Sequence, residues 1–218
     1  MRLALELSQR EATIAVGHEQ KVATRPVSMG GRQEQDVLWP MIEDAPQEVG
    51  GKPSDLSEVI VNAGPGGFTG IRTAIATAAM LGRLGAQVLA LPAHLAVAEA
   101  SLEGQGDDAS IILAVKNHRA WVGTVHWKNG LWTTSSAPQD LELKTFFAEQ
   151  SPARIVADEH LPEEFQSVCE IIPLRTCASA LLQRLMKDPS RTALDALRPI
   201  YPRVPEAVRL WEERHPNL

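Results

Sequence analysis

The sequence has no surplus of basic charge. Its 21 lysines and arginines are outnumbered by 27 aspartates and glutamates, a formal net charge of -6. A chain that binds nucleic acid alone draws its affinity from cations that displace counterions from phosphates, so this balance speaks against that class. Cysteine is scarce: Cys169 and Cys177 are the only two, and they form no CxxC pair. The short apolar run in the N-terminal MRLALELSQRE is not a secretion signal, so the expectation is two free thiols in a reducing, cytoplasmic setting. No stretch approaches the roughly 20 apolar residues of a membrane-spanning helix, and no membrane partner is expected. The histidines, His18, His94, His118, His126, His160 and His215, fall in no HxxxH or HExxH pair, which speaks against a helix-borne metal site. No serine stands in a GxSxG elbow, and no lysine follows the glycines as it does in a P-loop.

What is present is a regular alternation of strand and helix signals. LALEL (residues 3–7) has the two-residue period of a strand, and residues 12–17 and 21–27 follow as two more. A helical stripe over 36–46 places Val37, Leu38, Met41, Ile42 and Ala45 on one side, with Asp36 as a cap and Pro40 in the tolerant first turn. A continuously apolar strand over 58–63 is expected to be buried on both faces. A helix over 69–85, a strand over 87–92 and a helix over 93–103 complete the first half, and the polar EGQGDD (103–108) marks a boundary. The second half repeats the order. Strands are predicted at 110–116, 120–127 and 130–136, then a helix over 138–150 capped by Asp140. A strand at 153–158, a short helix at 161–169, a strand at 170–174 and a helix at 177–188 follow, before a proline-rich strap. The expected architecture is α/β: two lobes with mixed sheets, residues 1–103 and 104–218.

The stretch VNAGPGGFTGIR (61–72) joins a buried strand to a helix through four glycines. Such a loop holds an anion at a helix N-terminus or makes a tight turn for close packing. Pro65 and Phe68 stand where a dinucleotide would approach, which favours the turn. Thr69 and Gly70 are the candidates for an anion contact, and Thr69 for a helix cap. The helix that follows is smooth, with Ala74, Ala76, Ala78, Ala79 and Gly82, and a second small-residue face on it suits a subunit contact. Kinases and ATPases of the actin-like fold share this element order and hold phosphate with an acidic residue and glycines in the first hairpin. Glu6 stands at the acidic position here and is the candidate for Mg²⁺, but Gln9, Arg10 and Glu11 fill the turn with no glycine before Val16.

GPGGFTGIR (64–72), LWPMI (38–42) and PIYPR (199–203) together resemble the TsaB family, also called YeaZ-like. Its members carry G-P-G-S-F-T-G-[LV]-R after a buried strand, and Gly67 replaces the serine here. The departures are Glu6 for aspartate in the first strand, Glu34 for histidine in RQEQ (32–35), and KNHRAWVG (116–123) for a DARRGEVY-like hairpin. The resemblance implies an actin-like (ASKHA, ribonuclease H-like) fold of duplicated βββαβα lobes. It implies a scaffold subunit with no cofactor and no activity alone. Its partners would be a TsaD-like catalytic subunit and a TsaE-like ATPase, which make N6-threonylcarbamoyladenosine at position 37 of tRNAs reading ANN codons, with tRNA met only indirectly. It further implies a homodimer when alone, through helices 36–46 and 69–84. The contact residues would be Val37, Leu38, Met41, Ile42, Ile71, Arg72, Ile75, Ala78 and Ala79. The alternatives are a stand-alone actin-fold ATPase or phosphotransferase and, third, a metallopeptidase-like protein.

Overall fold

Leu3, Leu5 and Leu7 alternate with Ala4 along the first strand, and the structure buries both sets. In this computed structural model, residues 1–9, 11–28, 37–102, 106, 108–150, 152–203, 210–211 and 214–215 are described. The readings at Arg10, Glu34, Asp36 and most of EGQGDD lie outside them.

Strands β1 (Arg2–Glu6), β2 (Glu11–His18), β3 (Lys21–Ser28), β4 (Glu58–Asn62) and β5 (Gln87–Leu91) form a sheet of order β3-β2-β1-β4-β5. The first three are antiparallel neighbours, and β4 and β5 join in parallel. Strands β6 (Ala109–Lys116), β7 (Arg119–Lys128), β8 (Leu131–Glu142), β9 (Arg154–Ala157) and β10 (Glu170–Pro173) repeat that topology, in the order β10-β9-β6-β7-β8. The fold is α/β with two mixed sheets, the architecture that the element order predicted.

Helices α1 (Leu38–Glu48) and α2 (Phe68–Arg83) cover the outer face of the first sheet, where Leu3, Leu5, Ile14, Val59 and Val61 meet Ile42, Ile71 and Ala78. The other two long helices are exchanged between the sheets. Helix α3 (Ala93–Ser101) leaves β5 and packs on the second sheet, whereas α5 (Ala178–Lys187) leaves β10 and packs on β1 and β2. Small residues Ala4 and Ala15 let α5 come close, and Leu181 and Leu182 join them in a core that continues to Leu113, Trp121 and Val156 of the second sheet. Arg184 of α5, only 5% exposed, donates to Glu99 of α3 (2.6 Å), to the Trp132 carbonyl of β8 (2.6 Å) and to Asp188 (2.9 Å). A buried cation with each of these partners ties the exchanged helices together.

Three expectations shift. The predicted helix over 138–150 is shorter: β8 runs on to Glu142, and α4 spans only Leu143–Glu149. Pro138 is tolerated because β8 is an edge strand. Asp140 therefore caps no helix; it accepts from Arg119 of β7 and from Arg203 of the tail. The helix expected at 161–169 is a single 3-10 turn, Glu163–Phe165.

Past α5 the chain runs along β5 and the end of β4 as a strap. Thr192 N–H donates to Val88 O (2.6 Å) and Ile200 N–H to Ala63 O (2.7 Å), and Arg191 pairs with Glu58. Arg203 then reaches the second sheet at Asp140 of β8 and the Ala114 carbonyl of β6.

Candidate functional site

β4 carries Asn62 to the edge of the glycine loop, directly beside the end of β1. There Glu6 is wholly buried. Its Oε1 accepts from the Ser8 amide (3.0 Å) and the Ser8 hydroxyl, and its Oε2 accepts from Asn62 Nδ2 (2.9 Å). Asn62 Nδ2 also donates to Ser8 Oγ (3.0 Å), and Asn62 Oδ1 accepts from the Gly64 amide (2.9 Å). Burial pushes the Glu6 carboxyl above its ordinary range, against the opposing pull of the Ser8 and Asn62 donors. Both carboxylate oxygens are engaged by the chain itself, so Glu6 acts as a knot between β1, the first turn and β4.

The loop is pressed onto this knot. The Gly67 amide donates to Ser8 O (2.7 Å). A methyl group on Gly70 would overlap the Leu7 carbonyl, 2.8 Å from its carbon. Gly64 has φ +100° and lies under the Ile200 carbonyl of the strap. Glycine is thus required for close approach and for one left-handed turn. Thr69 caps nothing: the cap position is Gly67, with no side-chain bond, and Thr69 sits exposed one residue into α2. Gly70 is buried against Leu7.

A polar cleft of about 710 Å³ is lined by residues from both halves of the chain, among them Gln9, Glu11, Asp158, His160, Arg175 and Cys177. Among the described residues no group of three or more His, Cys, Asp or Glu side chains is placed to hold a metal ion. Both cysteines are free, and no helix among the described residues is long and apolar enough to cross a membrane.

The nine residues expected at a subunit contact divide sharply. Leu38, Ile42, Ile71, Ile75 and Ala78 are buried in the chain's own core, and Met41 packs against it. Their apolar period is the core-facing stripe of each helix. Val37 and Arg72 are exposed and Ala79 is half-buried. The solvent face of α2 is a different stripe: Phe68, Arg72, Ala76, Met80 and Leu84 at four-residue steps, with Leu84 82% exposed. It borders an apolar groove of about 410 Å³ between the helices, walled by Trp39, Ile42, Leu56, Leu81 and Leu84. Among the described residues Arg72 makes no ion pair with a carboxylate; its guanidinium lies 4.9 Å over the Phe68 ring.

Two solved structures share this arrangement over almost their whole length. One, described as an uncharacterized protein with similarity to peptidase YEAZ from Pseudomonas aeruginosa, superposes with a TM-score of 0.74 at 19% identity, covering 93% of this chain and 99% of that one. The other, YeaZ from Pseudomonas aeruginosa, gives 0.72 at 20% identity, with 92% and 98% covered. The chain has the YeaZ fold. Residues 26–119 also match the family model described as TsaD: tRNA N6-adenosine threonylcarbamoyltransferase. That segment contains α1, the glycine loop and α2 of the YeaZ fold. No curated protein matches the chain by sequence. The resemblance carried by GPGGFTGIR and the element order thus holds at the level of fold.

Sequence reasoning missed Ser8 and Asn62, which complete the Glu6 knot, and Tyr201, whose ring stacks on Phe68 at 5.5 Å. An asparagine ending a buried apolar strand was a signal for the first. Tyr201 stands within PIYPR (199–203), one of the stretches that carry the resemblance, but nothing in the sequence placed it beside Phe68.

Proposed function

We propose that the chain is a non-catalytic scaffold subunit of a complex making N6-threonylcarbamoyladenosine at position 37 of tRNAs, and that it holds a TsaD-like catalytic partner on the exposed face of α1 and α2. The observation that carries this reading is the engagement of Glu6: the acidic residue that would serve phosphate or metal is bonded by Ser8 and Asn62, and Gly66, Gly67 and Gly70 pack on Leu7 and Ser8. The exposed stripe from Phe68 to Leu84 supports a docking role, since exposed apolar area of this kind is usually covered. On this reading the chain works in the cytoplasm as two lobes, 1–103 and 104–218. It has no activity alone, meets tRNA through its partners, joins a TsaE-like ATPase in the full assembly and pairs with itself when the partner is absent.

The test is co-expression with the TsaD-like protein of the same organism, followed by size-exclusion chromatography. Met80→Glu and Leu84→Glu, on the solvent side of α2, should abolish co-elution while leaving the melting temperature unchanged. A charge at Ile75 would test folding instead, because that side chain is in the core. Co-elution unaffected by both exposed substitutions would remove α2 as the docking helix.

The polar cleft lined by both halves of the chain favours a second reading, a stand-alone ATPase or phosphotransferase. Calorimetry of the isolated chain with ATP and Mg²⁺ separates the two: tight binding with turnover would replace the scaffold by an enzyme.

A further inference from the structure

Phe68 and Tyr201 are the two large aromatic residues exposed where α2 begins, at 54% and 39%. Their rings stack, and the Arg72 guanidinium lies over the Phe68 ring. The three side chains come from separate parts of the chain, Phe68 and Arg72 from the first turns of α2 and Tyr201 from the strap. Tyr201 is held from both sides: its neighbour Ile200 donates to Ala63 O, and Arg203 is fixed by Asp140. A ring held in place this way loses little freedom when something binds to it. Arg72 has no ion pair among the described residues.

Two facts decide what such a platform fits. Aromatic stacks with arginine receive single-stranded bases as well as protein side chains. However, the stack is continuous with the α2 stripe, and between Arg72 and Arg83 that stripe offers only uncharged residues such as Ala76, Ala79 and Met80. A nucleic acid lying along it would find no cations to follow, on a chain of net charge -6. An apolar helix of a protein would find a surface of roughly 24 Å, the length of a 16-residue helix.

We propose that the Tyr201–Phe68–Arg72 stack is the strap-side end of the docking face, and that it receives an apolar side chain of a protein partner beside a carboxylate that pairs with Arg72. This rests on the scaffold reading and extends its interface from two helices to the tail. A carboxylate answers a cation that has no ion pair among the described residues, and the aromatic pair supplies the apolar area that interface anchors fill.

The experiment titrates the purified TsaD-like protein against the wild-type chain, Tyr201→Ala, Tyr201→Phe and Arg72→Ala by calorimetry, with thermal melts of each variant. Tyr201→Ala and Arg72→Ala should each weaken binding about tenfold or more, and Tyr201→Phe should bind as the wild type does. If Tyr201→Ala also loosens the strap and lowers the melting temperature, Arg72→Ala on the exposed helix face decides alone. Undiminished binding by Arg72→Ala would overturn the proposal and leave the scaffold reading intact; absence of wild-type binding would remove both. Tyr201-dependent binding of a labelled oligouridylate, with partner affinity unchanged, would reassign the stack to RNA. Loss of self-association in Tyr201→Ala with partner affinity unchanged would reassign it to a second copy of the chain.

Discussion

Gly70→Ala tests whether the glycine loop is a packing device. At Gly70 the added methyl would meet the Leu7 carbonyl, 2.8 Å from its carbon, and Leu7 Cβ at 3.5 Å. Those first atoms are backbone of a buried turn and cannot rotate aside, so α2 must retreat by roughly 1 Å to restore normal contact. That movement strains the Gly67 N–H···O bond to Ser8, now 2.7 Å, a loss of about 1 kcal/mol. Overpacking adds about 1–3 kcal/mol. Alanine gains up to about 1 kcal/mol of helix propensity over glycine, which offsets part of this. The net expectation is a loss of about 1–3 kcal/mol, or a melting temperature lower by roughly 3–10 °C for a chain of this size. The assay is thermal unfolding followed by circular dichroism, with urea unfolding as a check. A variant that melts within about 1 °C of the wild type would refute the reasoning, because the loop would then have room that the structure denies it.

The serine of the family signature provides the contrast: Gly67→Ser puts its Cβ 3.3 Å from the Ser8 carbonyl oxygen, and should change stability by less than about 1 kcal/mol in the same melts. Arg184→Ala should cost about 3–5 kcal/mol in urea unfolding, since it leaves Glu99 and Asp188 as uncompensated carboxylates in the core; a loss below about 1 kcal/mol would mean the network is weakly coupled. Asp140→Asn should lower stability at neutral pH by about 1 kcal/mol, the scale of a partly exposed ion pair. Burial raises the Asp140 carboxyl, but bonds from Arg203 and Arg119 outweigh it and hold it below the ordinary aspartate value. A depressed carboxyl stabilises the fold above its unfolded value and loses that effect as pH falls through its folded one. The gap between wild type and Asp140→Asn should therefore persist from pH 7 to about 4 and close below; a gap that widens in acid would contradict the assignment.

Local signals in this chain were read correctly because they depend on neighbours in sequence. The two-residue period of LALEL, the apolar run before Asn62 and the glycines of GPGGFTGIR each specify a backbone state by themselves, and their order specified the α/β fold. Local signals failed where a distant residue chose between two outcomes. PQDLE reads as a helix start, yet Arg119 of β7 lies opposite Glu142 in the ladder and draws β8 onward as strand. Leu38, Ile42, Ile71 and Ile75 read as a contact surface because an apolar helical stripe looks the same whether it faces its own sheet or a partner. The tertiary structure assigned that stripe to the core and left Phe68, Met80 and Leu84 outside. Glu6 was legible as an acidic residue at the end of a buried strand. Its role was decided by Asn62, 56 residues away, because a buried carboxylate takes whichever donors the fold brings to it. The exchange of α3 and α5 and the meeting of Tyr201 with Phe68 were likewise decided only in three dimensions. They join segments with no pattern in common, and their energy comes from area buried between surfaces that a sequence does not place side by side.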